Sequence, residues 1–323
     1  MPRFDLTAEE LHSYRPTVAE PADFDEFWAA TLAESRARGL PPQIRRQSSA
    51  LRAVEVYDVT TSGFQGELIR GWLLLPAGRE DALPLVAEFQ GYGGGRGLPH
   101  ERLAWAACGY AWYIMDTRGQ GTGLGGDGCT ADPHGSGPAS PGFMTRGILD
   151  PHTYYYRRVH TDAVLAIEAL RSLPQIDADR VTVAGASQGG GIAIAAAGLT
   201  PNLLAALPEA PFLCHFERAV GMTGSEPYQE IVRYLAVHRN AVDEVFRTLS
   251  YFDGVNFAKR ATAPAFFSAG LMDPICPPST VYAAANHWAG AAEVVDYPFN
   301  EHEAGWGPHW VRQSAWLSGR IRR

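Results

Sequence analysis

The sequence is poor in cysteine, in basic clusters and in long apolar runs. Its four cysteines are far apart and form no CxxC pair, which excludes a disulfide framework or a cysteine-rich metal site and predicts reduced, mostly packed thiols. A net charge of -8, with basic clusters only at Arg45-Arg46 and Arg320 to Arg323, gives no indication of nucleic-acid binding. No segment has the apolar length of a membrane span or of a secretory signal, so we expect a cytoplasmic protein that does not bind a membrane.

The composition predicts one large globular domain. Hydrophobic residues make up 46% and charged residues 19% of the 323 residues, so the chain can bury a core and lies outside the disordered range. We therefore expect a single domain over residues 1–323. Within it, an N-terminal helical arm occupies about 1–45, with Phe24, Phe27 and Trp28 on one helix face, and a helical insertion occupies about 212–258.

Between these segments, short apolar runs alternate with helical segments. After an antiparallel opening, this alternation predicts a doubly wound, mostly parallel α/β sheet. Residues 122–142 are rich in Gly, Pro, Ser and Asp and predict a long ordered loop or an interface arm. The predicted strands cover 85–89, 111–115, 181–184, 265–271 and 294–297, and the predicted helices cover 159–170, 190–198, 279–288 and 310–321.

The main chemical signal is Gly185-Ala186-Ser187-Gln188-Gly189, which lies between a predicted strand and a predicted helix. In this context the GxSxG pattern is typical of a nucleophile elbow, a sharp turn that exposes the serine hydroxyl above the sheet. The alternative is a glycine-rich turn before a close-packed helix. A cysteine nucleophile is disfavoured because no cysteine lies in such a turn or beside a candidate base. We therefore predict Ser187 as the nucleophile.

A serine nucleophile needs a histidine base and a carboxylate that orients it, here in the chain order Ser, acid, His. Of the histidines after Ser187, only His302 directly follows a late strand. The acid is expected at the end of the preceding strand, where Asp273 lies. Asp296 is the alternative, but it falls inside its strand. Glu303, adjacent to the predicted base, is interpreted as a supporting charge.

Acyl transfer also needs N–H donors for the developing oxyanion. One candidate is the backbone N–H of Gln188, and the other is that of Tyr92 in Gly91-Tyr92-Gly93-Gly94, which otherwise is a plain glycine turn. In Arg118-Gly119-Gln120, the guanidinium could bind a carbonyl or carboxylate bidentately. We interpret it as structural support.

Taken together, Arg118-Gly119-Gln120, the GxSxG segment and His302-Glu303 resemble the motifs of the acetyl xylan esterase and cephalosporin C deacetylase family, carbohydrate esterase family seven. The likeness extends from Phe4-Asp5-Leu6 through residues 142–150 to residues 270–273, and so covers nearly the whole chain. It implies an α/β-hydrolase fold, a triad of Ser187, Asp273 and His302, and an oxyanion hole formed by the backbone of Tyr92 and Gln188.

The resemblance further implies a homohexamer whose active sites face an internal cavity, with the loop near residues 122–142 assisting association. Such a cavity would favour small acetylated saccharides or an antibiotic such as cephalosporin C over polymers, and no metal or organic cofactor is expected. Two alternatives remain. One is a serine hydrolase of the same fold acting on other short-chain esters or peptides, and the other is a binding protein without activity, although all three triad positions are occupied.

Overall fold

Nine strands form one mixed sheet at the centre of the computed structural model, which describes residues 3–123, 126–134 and 137–321. The strands are β1 (Gln43–Arg46), β2 (Val54–Ser62), β3 (Leu68–Pro76), β4 (Leu83–Phe89), β5 (Ala111–Met115), β6 (Ile176–Ala186), β7 (Ala205–Glu209), β8 (Ala265–Gly270) and β9 (Ala292–Tyr297). Their order is β1-β2-β3-β5-β4-β6-β7-β8-β9. The pairs β1·β2, β2·β3 and β3·β5 are antiparallel. All other neighbours, from β5·β4 to β8·β9, are parallel. The predicted α/β sheet with an antiparallel opening is confirmed.

Helices cover both faces of this sheet. They are α1 (Ala8–Ser13), α2 (Phe24–Arg36), α3 (Ala104–Ala107), α4 (Tyr155–Arg171), α5 (Gln188–Leu199), α6 (Phe216–Met222), α7 (Gln229–Val237), α8 (Val242–Ser250), α9 (Gly254–Ala258), α10 (Pro278–His287) and α11 (Trp306–Ile321). Neighbouring residues of β4 point into different cores: Leu85 and Ala87 belong to the larger apolar cluster, and Val86 belongs to the smaller one. This alternation is the consequence of the two-residue period of a strand. None of the described helices is long and apolar enough to cross a membrane.

The N-terminal arm packs on the body, as expected. Helix α1 begins with a capping box formed by Thr7 and Glu10. In α2, the buried Trp28 donates a hydrogen bond from Nε1 to the carbonyl oxygen of Tyr251, at 3.0 Å, and so connects the arm to the insertion. The arm ends earlier than predicted, because residues 43–46 already form the edge strand β1 paired with β2.

Several elements differ from the sequence-based prediction, and two of these differences concern the site. Strand β7 was not predicted, since its residues, Ala205–Glu209, include a proline and only one large aliphatic side chain. Helix α11 begins at Trp306, four positions before the predicted start. Both differences matter for the site, because β7 ends at Glu209 and α11 begins at Trp306, and both of these residues line the cavity described below.

The segment 122–142 was predicted to be a long ordered loop or an interface arm, and residues 124, 125, 135 and 136 of it lie outside the described residues. The described parts pack against the body. The backbone N–H groups of Cys129 and Thr130 donate to the buried carboxylate of Asp116, at 2.6 and 2.8 Å, and Asp132 forms an ion pair with Arg158 at 2.8 Å.

Candidate active site

Ser187 lies in a strained turn between β6 and α5. Its φ of 55° and ψ of -120° are rarely adopted by a residue with a side chain, and such strain is typical of a nucleophile elbow. Backbone hydrogen bonds hold this conformation: Ser187 N–H donates to the Glu209 carbonyl oxygen, and Phe212 N–H donates to the Ser187 carbonyl oxygen, both at 2.9 Å. The flanking glycines are required because a Cβ at Gly185 would lie 2.4 Å from the backbone of Gly189, and one at Gly189 would lie 2.1 Å from the carbonyl oxygen of Phe89.

His302 and Asp273 form a hydrogen-bonded pair. The Nδ1 atom of His302 lies 2.8 Å from Oδ2 of Asp273, which is completely buried after the end of β8. The other carboxylate oxygen accepts hydrogen bonds from the backbone N–H groups of Ile275, at 2.8 Å, and Cys276, at 3.0 Å. These bonds fix the carboxylate and favour the imidazole tautomer that carries its proton on Nδ1. The alternative acid, Asp296, instead accepts a hydrogen bond from the Tyr282 hydroxyl at 2.7 Å.

Ser187 and His302 line the same cavity, which has a volume of about 360 Å³. The structure therefore brings the three predicted triad residues together at one end of the sheet, although they are separated by up to 115 positions in the chain. Glu303 also lines the cavity, and its carboxylate accepts a hydrogen bond from Asn300 Nδ2 at 2.6 Å. That hydrogen bond lowers the pKa of Glu303 below its usual value.

The two predicted oxyanion donors lie in adjoining turns. Gln188 is the first residue of α5, and the N–H groups of a first helical turn have no partner within the helix. Gly91 to Gly94 form a turn closed by a hydrogen bond from Gly94 N–H to the Gly91 carbonyl oxygen, at 3.0 Å, which does not involve the N–H of Tyr92. The N–H of Gln188 at the start of the helix and the N–H of Tyr92 in the turn are therefore not used by the local backbone hydrogen bonds.

A pair of glutamine side chains connects these two turns. The buried Gln188 donates from Nε2 to the carbonyl oxygen of Gln90, at 3.1 Å, and its Oε1 accepts from Gln120 Nε2 at 2.9 Å. Gln120 Oε1 in turn accepts the backbone N–H of Gly93, at 2.7 Å. The relative position of the two candidate donors is therefore determined by side chains 68 residues apart. Gln120 lies in the Arg118-Gly119-Gln120 motif, but the motif alone predicts no role for it.

The side chain of Tyr92 is held by the insertion. Its hydroxyl donates to Glu230 of α7 and accepts the backbone N–H of Phe143, at 2.6 Å, while the second oxygen of Glu230 accepts the N–H of Met144 at 2.9 Å. Burial, followed by the nearby charge of Glu230, raises the pKa of Tyr92, so the hydroxyl keeps its proton. Glu230 is not predicted from the sequence, because nothing in α7 marks it as different from a surface acid.

Nearly the whole chain matches a known protein family. The family model described as acetyl xylan esterase matches residues 1–320. This chain belongs to the acetyl xylan esterase family. The acetyl xylan esterase from Paenibacillus sp. R4 is 40% identical, with a TM-score of 0.92 and coverage of 97% of this chain and 99% of that one. Acetyl xylan esterase 1 from Thermoanaerobacterium sp. JW/SL YS485 is 31% identical, with a TM-score of 0.90 and coverage of 98% and 99%.

A curated relative leads to the same family of carboxylic ester hydrolases. Acetyl esterase Axe7A from Xylanibacter ruminicola is 27% identical over 315 residues, which are 95% of this chain and 69% of the relative. More distant likenesses, such as that to an acylaminoacyl peptidase with 16% identity and a TM-score of 0.56, concern the fold alone. The resemblance found in the sequence motifs and the expected α/β-hydrolase fold are confirmed.

In this acetyl xylan esterase family member, Arg118 is completely buried. Its Nε and Nη2 atoms donate to the two carboxylate oxygens of Asp162, each at 2.7 Å, and Nη1 donates to Glu67. Burial opposes the guanidinium charge, but the carboxylates of Asp162 and Glu67 outweigh it and raise the pKa of Arg118. The predicted bidentate contact exists, and its partner is a structural carboxylate.

One group of described residues has side-chain ligand atoms close enough to hold a metal ion: those of Asp273, Cys276 and His302 lie within 4.8 Å of one another. Burial raises the pKa of the Cys276 thiol well above its usual value, so it stays protonated at neutral pH and is a poor ligand. All four cysteines are free, as predicted, but Cys108 and Cys129 are exposed, so only half of them are packed.

Proposed function

We propose that this protein is a serine esterase that removes acetyl groups from acetylated xylo-oligosaccharides and related small acetate esters, including cephalosporin C. The observation that carries the proposal is the hydrogen bond of 2.8 Å between His302 and the buried Asp273, at the cavity that Ser187 also lines from its strained turn. Membership of the acetyl xylan esterase family and the names of its similar structures support the acetyl group as the acyl part.

The reaction divides into two halves that pass through an acetyl-serine intermediate. The hydroxyl oxygen of Ser187 attacks the acetyl carbonyl carbon while His302 takes the hydroxyl proton, and the resulting imidazolium is stabilised by Asp273. The oxyanion accepts hydrogen bonds from the N–H groups of Tyr92 and Gln188. His302 then gives its proton to the departing alcohol oxygen. Water, deprotonated by His302, attacks the acetyl-serine, and acetate leaves as the Ser187 hydroxyl recovers its proton.

The test is acetate release from acetylated xylo-oligosaccharides and from cephalosporin C by the parent and by Ser187→Ala. We expect the parent to be active and the variant to lose on the order of 10⁴ or more in kcat. Asp273→Asn should lose about 10³ to 10⁴ in kcat, because an asparagine favours the wrong histidine tautomer. Asp296→Asn is the matched control, and its kcat should stay within about twofold of the parent, since Asp296 contacts Tyr282 instead.

Two results would change the assignment. If the parent hydrolyses neither substrate but its Ser187 reacts with a serine-directed phosphonate, the protein is a serine hydrolase with another ester or a peptide as substrate. If it also fails to react with the phosphonate, the inactive binding protein becomes the better interpretation. Equal losses in Asp273→Asn and Asp296→Asn would contradict the assigned acid.

Assembly and location are further parts of the proposal. Family membership supports the expected homohexamer, in which residues near 122–142 assist association. Light scattering of the purified protein tests it, since a hexamer of this 35.1 kDa chain is readily distinguished from a monomer or dimer. A cytoplasmic location stays a prediction from the sequence, as does the absence of a cofactor.

A further inference from the structure

The cavity beside Ser187 is also lined by groups that the reaction does not use. They include Gln90, Arg102, Glu209 and Trp306. A neighbouring cavity of about 330 Å³ shares Arg102, Glu209 and Trp306 with it. Ligand sites typically measure about 300–1,000 Å³, so this space exceeds what an acetyl group needs.

Gln90 carries a buried donor without a partner. Only 3% of the residue is exposed, its Oε1 accepts a hydrogen bond from Arg102 Nη2 at 3.0 Å, and its Nε2 has no hydrogen-bond partner among the described residues. This nitrogen atom has almost no accessible surface, so a ligand in the cavity does not reach it, and Gln90 is a fixed part of the cavity wall. Arg102 keeps Gln90 in this orientation through its ion pair with Glu88, at 2.7 Å.

Glu209 is an acid without a cation. Arg102 is engaged with Glu88, and none of the ion pairs in the described part of the chain includes Glu209. Burial, followed by the charge of Glu88, raises the pKa of Glu209 to about 7, while contact with Gln313 opposes this rise. Near neutral pH its carboxyl group therefore both donates and accepts hydrogen bonds.

Trp306 supplies a second kind of contact. It is 75% exposed at the start of α11 although it lines both cavities. An exposed indole ring offers a large flat apolar surface that a ligand can cover. A carboxyl group beside an aromatic face matches a ring that carries several hydroxyl groups, because the hydroxyl groups can bind the carboxyl group while the ring packs on the indole.

The position of the wall decides which part of the ester it would contact. His302 must deliver a proton to the departing alcohol oxygen, so the alcohol part of the ester lies on the His302 side of Ser187. The cavity runs along that side, because its lining includes His302, Glu303, Ala304 and Trp306.

We propose that Glu209 and Trp306 form a subsite for the alcohol part of the ester, which binds a polyhydroxylated ring such as a pyranose. This inference rests on the proposed esterase function and adds the residues that select the sugar. The carboxyl group of Glu209 binds ring hydroxyl groups, and the ring packs on Trp306.

The test compares two esters with the same acyl group, acetylated xylobiose and ethyl acetate, because the two-carbon alcohol is too short to reach the subsite. Glu209→Leu and Trp306→Ala should each lower kcat/KM on acetylated xylobiose about tenfold more than on ethyl acetate, which is the contribution of one good contact. Glu209→Gln, which keeps a donor and an acceptor, should lose less. Phe299→Ala is the matched control, since Phe299 is 85% exposed and lines neither cavity; both rates should stay at parent values.

The outcomes separate this subsite from the esterase itself. A parent active on both esters, with variants that lower both rates by the same factor or neither, overturns the subsite and leaves the esterase. A parent active on ethyl acetate but not on acetylated xylobiose overturns the sugar as substrate, and inactivity on both overturns the two proposals together. If Glu209→Leu does not fold, the comparison of the two esters with Trp306→Ala decides whether the subsite exists, because Trp306 is exposed.

Discussion

Replacing Arg118 by methionine should destabilise the protein strongly, because it leaves a buried carboxylate without its cation. Arg118 and Asp162 are 0% and 1% exposed and are joined by two hydrogen bonds of 2.7 Å. Removing one partner of a buried pair typically costs about 3–5 kcal/mol, which is a large part of the stability of an ordinary domain. We therefore expect Arg118→Met to lower the free energy of unfolding by about 3–5 kcal/mol at pH 7.5.

The loss should become smaller as the pH falls. Burial already raises the pKa of Asp162, and removing Arg118 takes away the charge that opposes this rise. A carboxyl group whose pKa is higher in the folded than in the unfolded protein destabilises the fold as the pH rises above the unfolded value of about 3.9. Between pH 7.5 and 5.5 the variant should thus recover relative to the parent, by up to about 1.4 kcal/mol for each pH unit.

Urea unfolding at these two pH values is the assay, with two further variants as references. Arg36→Met removes one partner of an exposed pair, since Arg36 and Glu168 are 46% and 36% exposed, and should cost about 0–1 kcal/mol. The double variant Arg118→Met/Asp162→Asn should be less destabilised than the sum of its single variants, because no buried charge is left unpaired. A loss no larger than that of Arg36→Met, or one independent of pH, would refute the reasoning.

Two further perturbations test buried polar groups. His160 is buried with neither ring nitrogen bonded to a described residue, and burial lowers its pKa to about 3. Since the pKa of an unfolded histidine is about 6.5, unfolding takes up a proton as the pH falls below 6.5. In urea unfolding, the free energy of unfolding of His160→Leu should therefore rise by about 2 kcal/mol relative to the parent between pH 6.5 and 5. Parallel pH profiles would contradict this. Tyr92→Phe should lower the free energy of unfolding by about 1–3 kcal/mol and lower kcat more than it raises KM, because the N–H of Phe143 loses its acceptor and Glu230 loses a donor. The control Tyr154→Phe removes a buried hydroxyl that has no described partner, and it should cost less than about 0.5 kcal/mol. Calorimetry and initial rates measure both variants, and equal losses would speak against a positioning role for Tyr92.

Local patterns in the sequence were sufficient for the strand, turn and helix around Ser187. An apolar run of strand length followed by GxSxG predicts β6, the elbow and α5, because each depends on residues that are close in the chain. The same logic located Asp273 and His302 at strand ends, and the order of these elements indicated that they would meet. Strand β7 was not predicted, because Pro208 and the two alanines before Leu207 give it little intrinsic strand propensity.

What only the tertiary structure decided are the contacts between distant side chains. Glu230 meets Tyr92 across 138 residues, and Gln188 bonds to Gln120 across 68. Glu209 becomes a cavity acid only because β7 ends beside the elbow and Glu88. No periodicity encodes such pairs, because hydrophobic patterns report which face of an element is buried and not which polar group meets it there. The sequence by itself therefore determined the class of fold and the candidate triad, whereas the packing of the sheet and its insertion determined the groups that surround them.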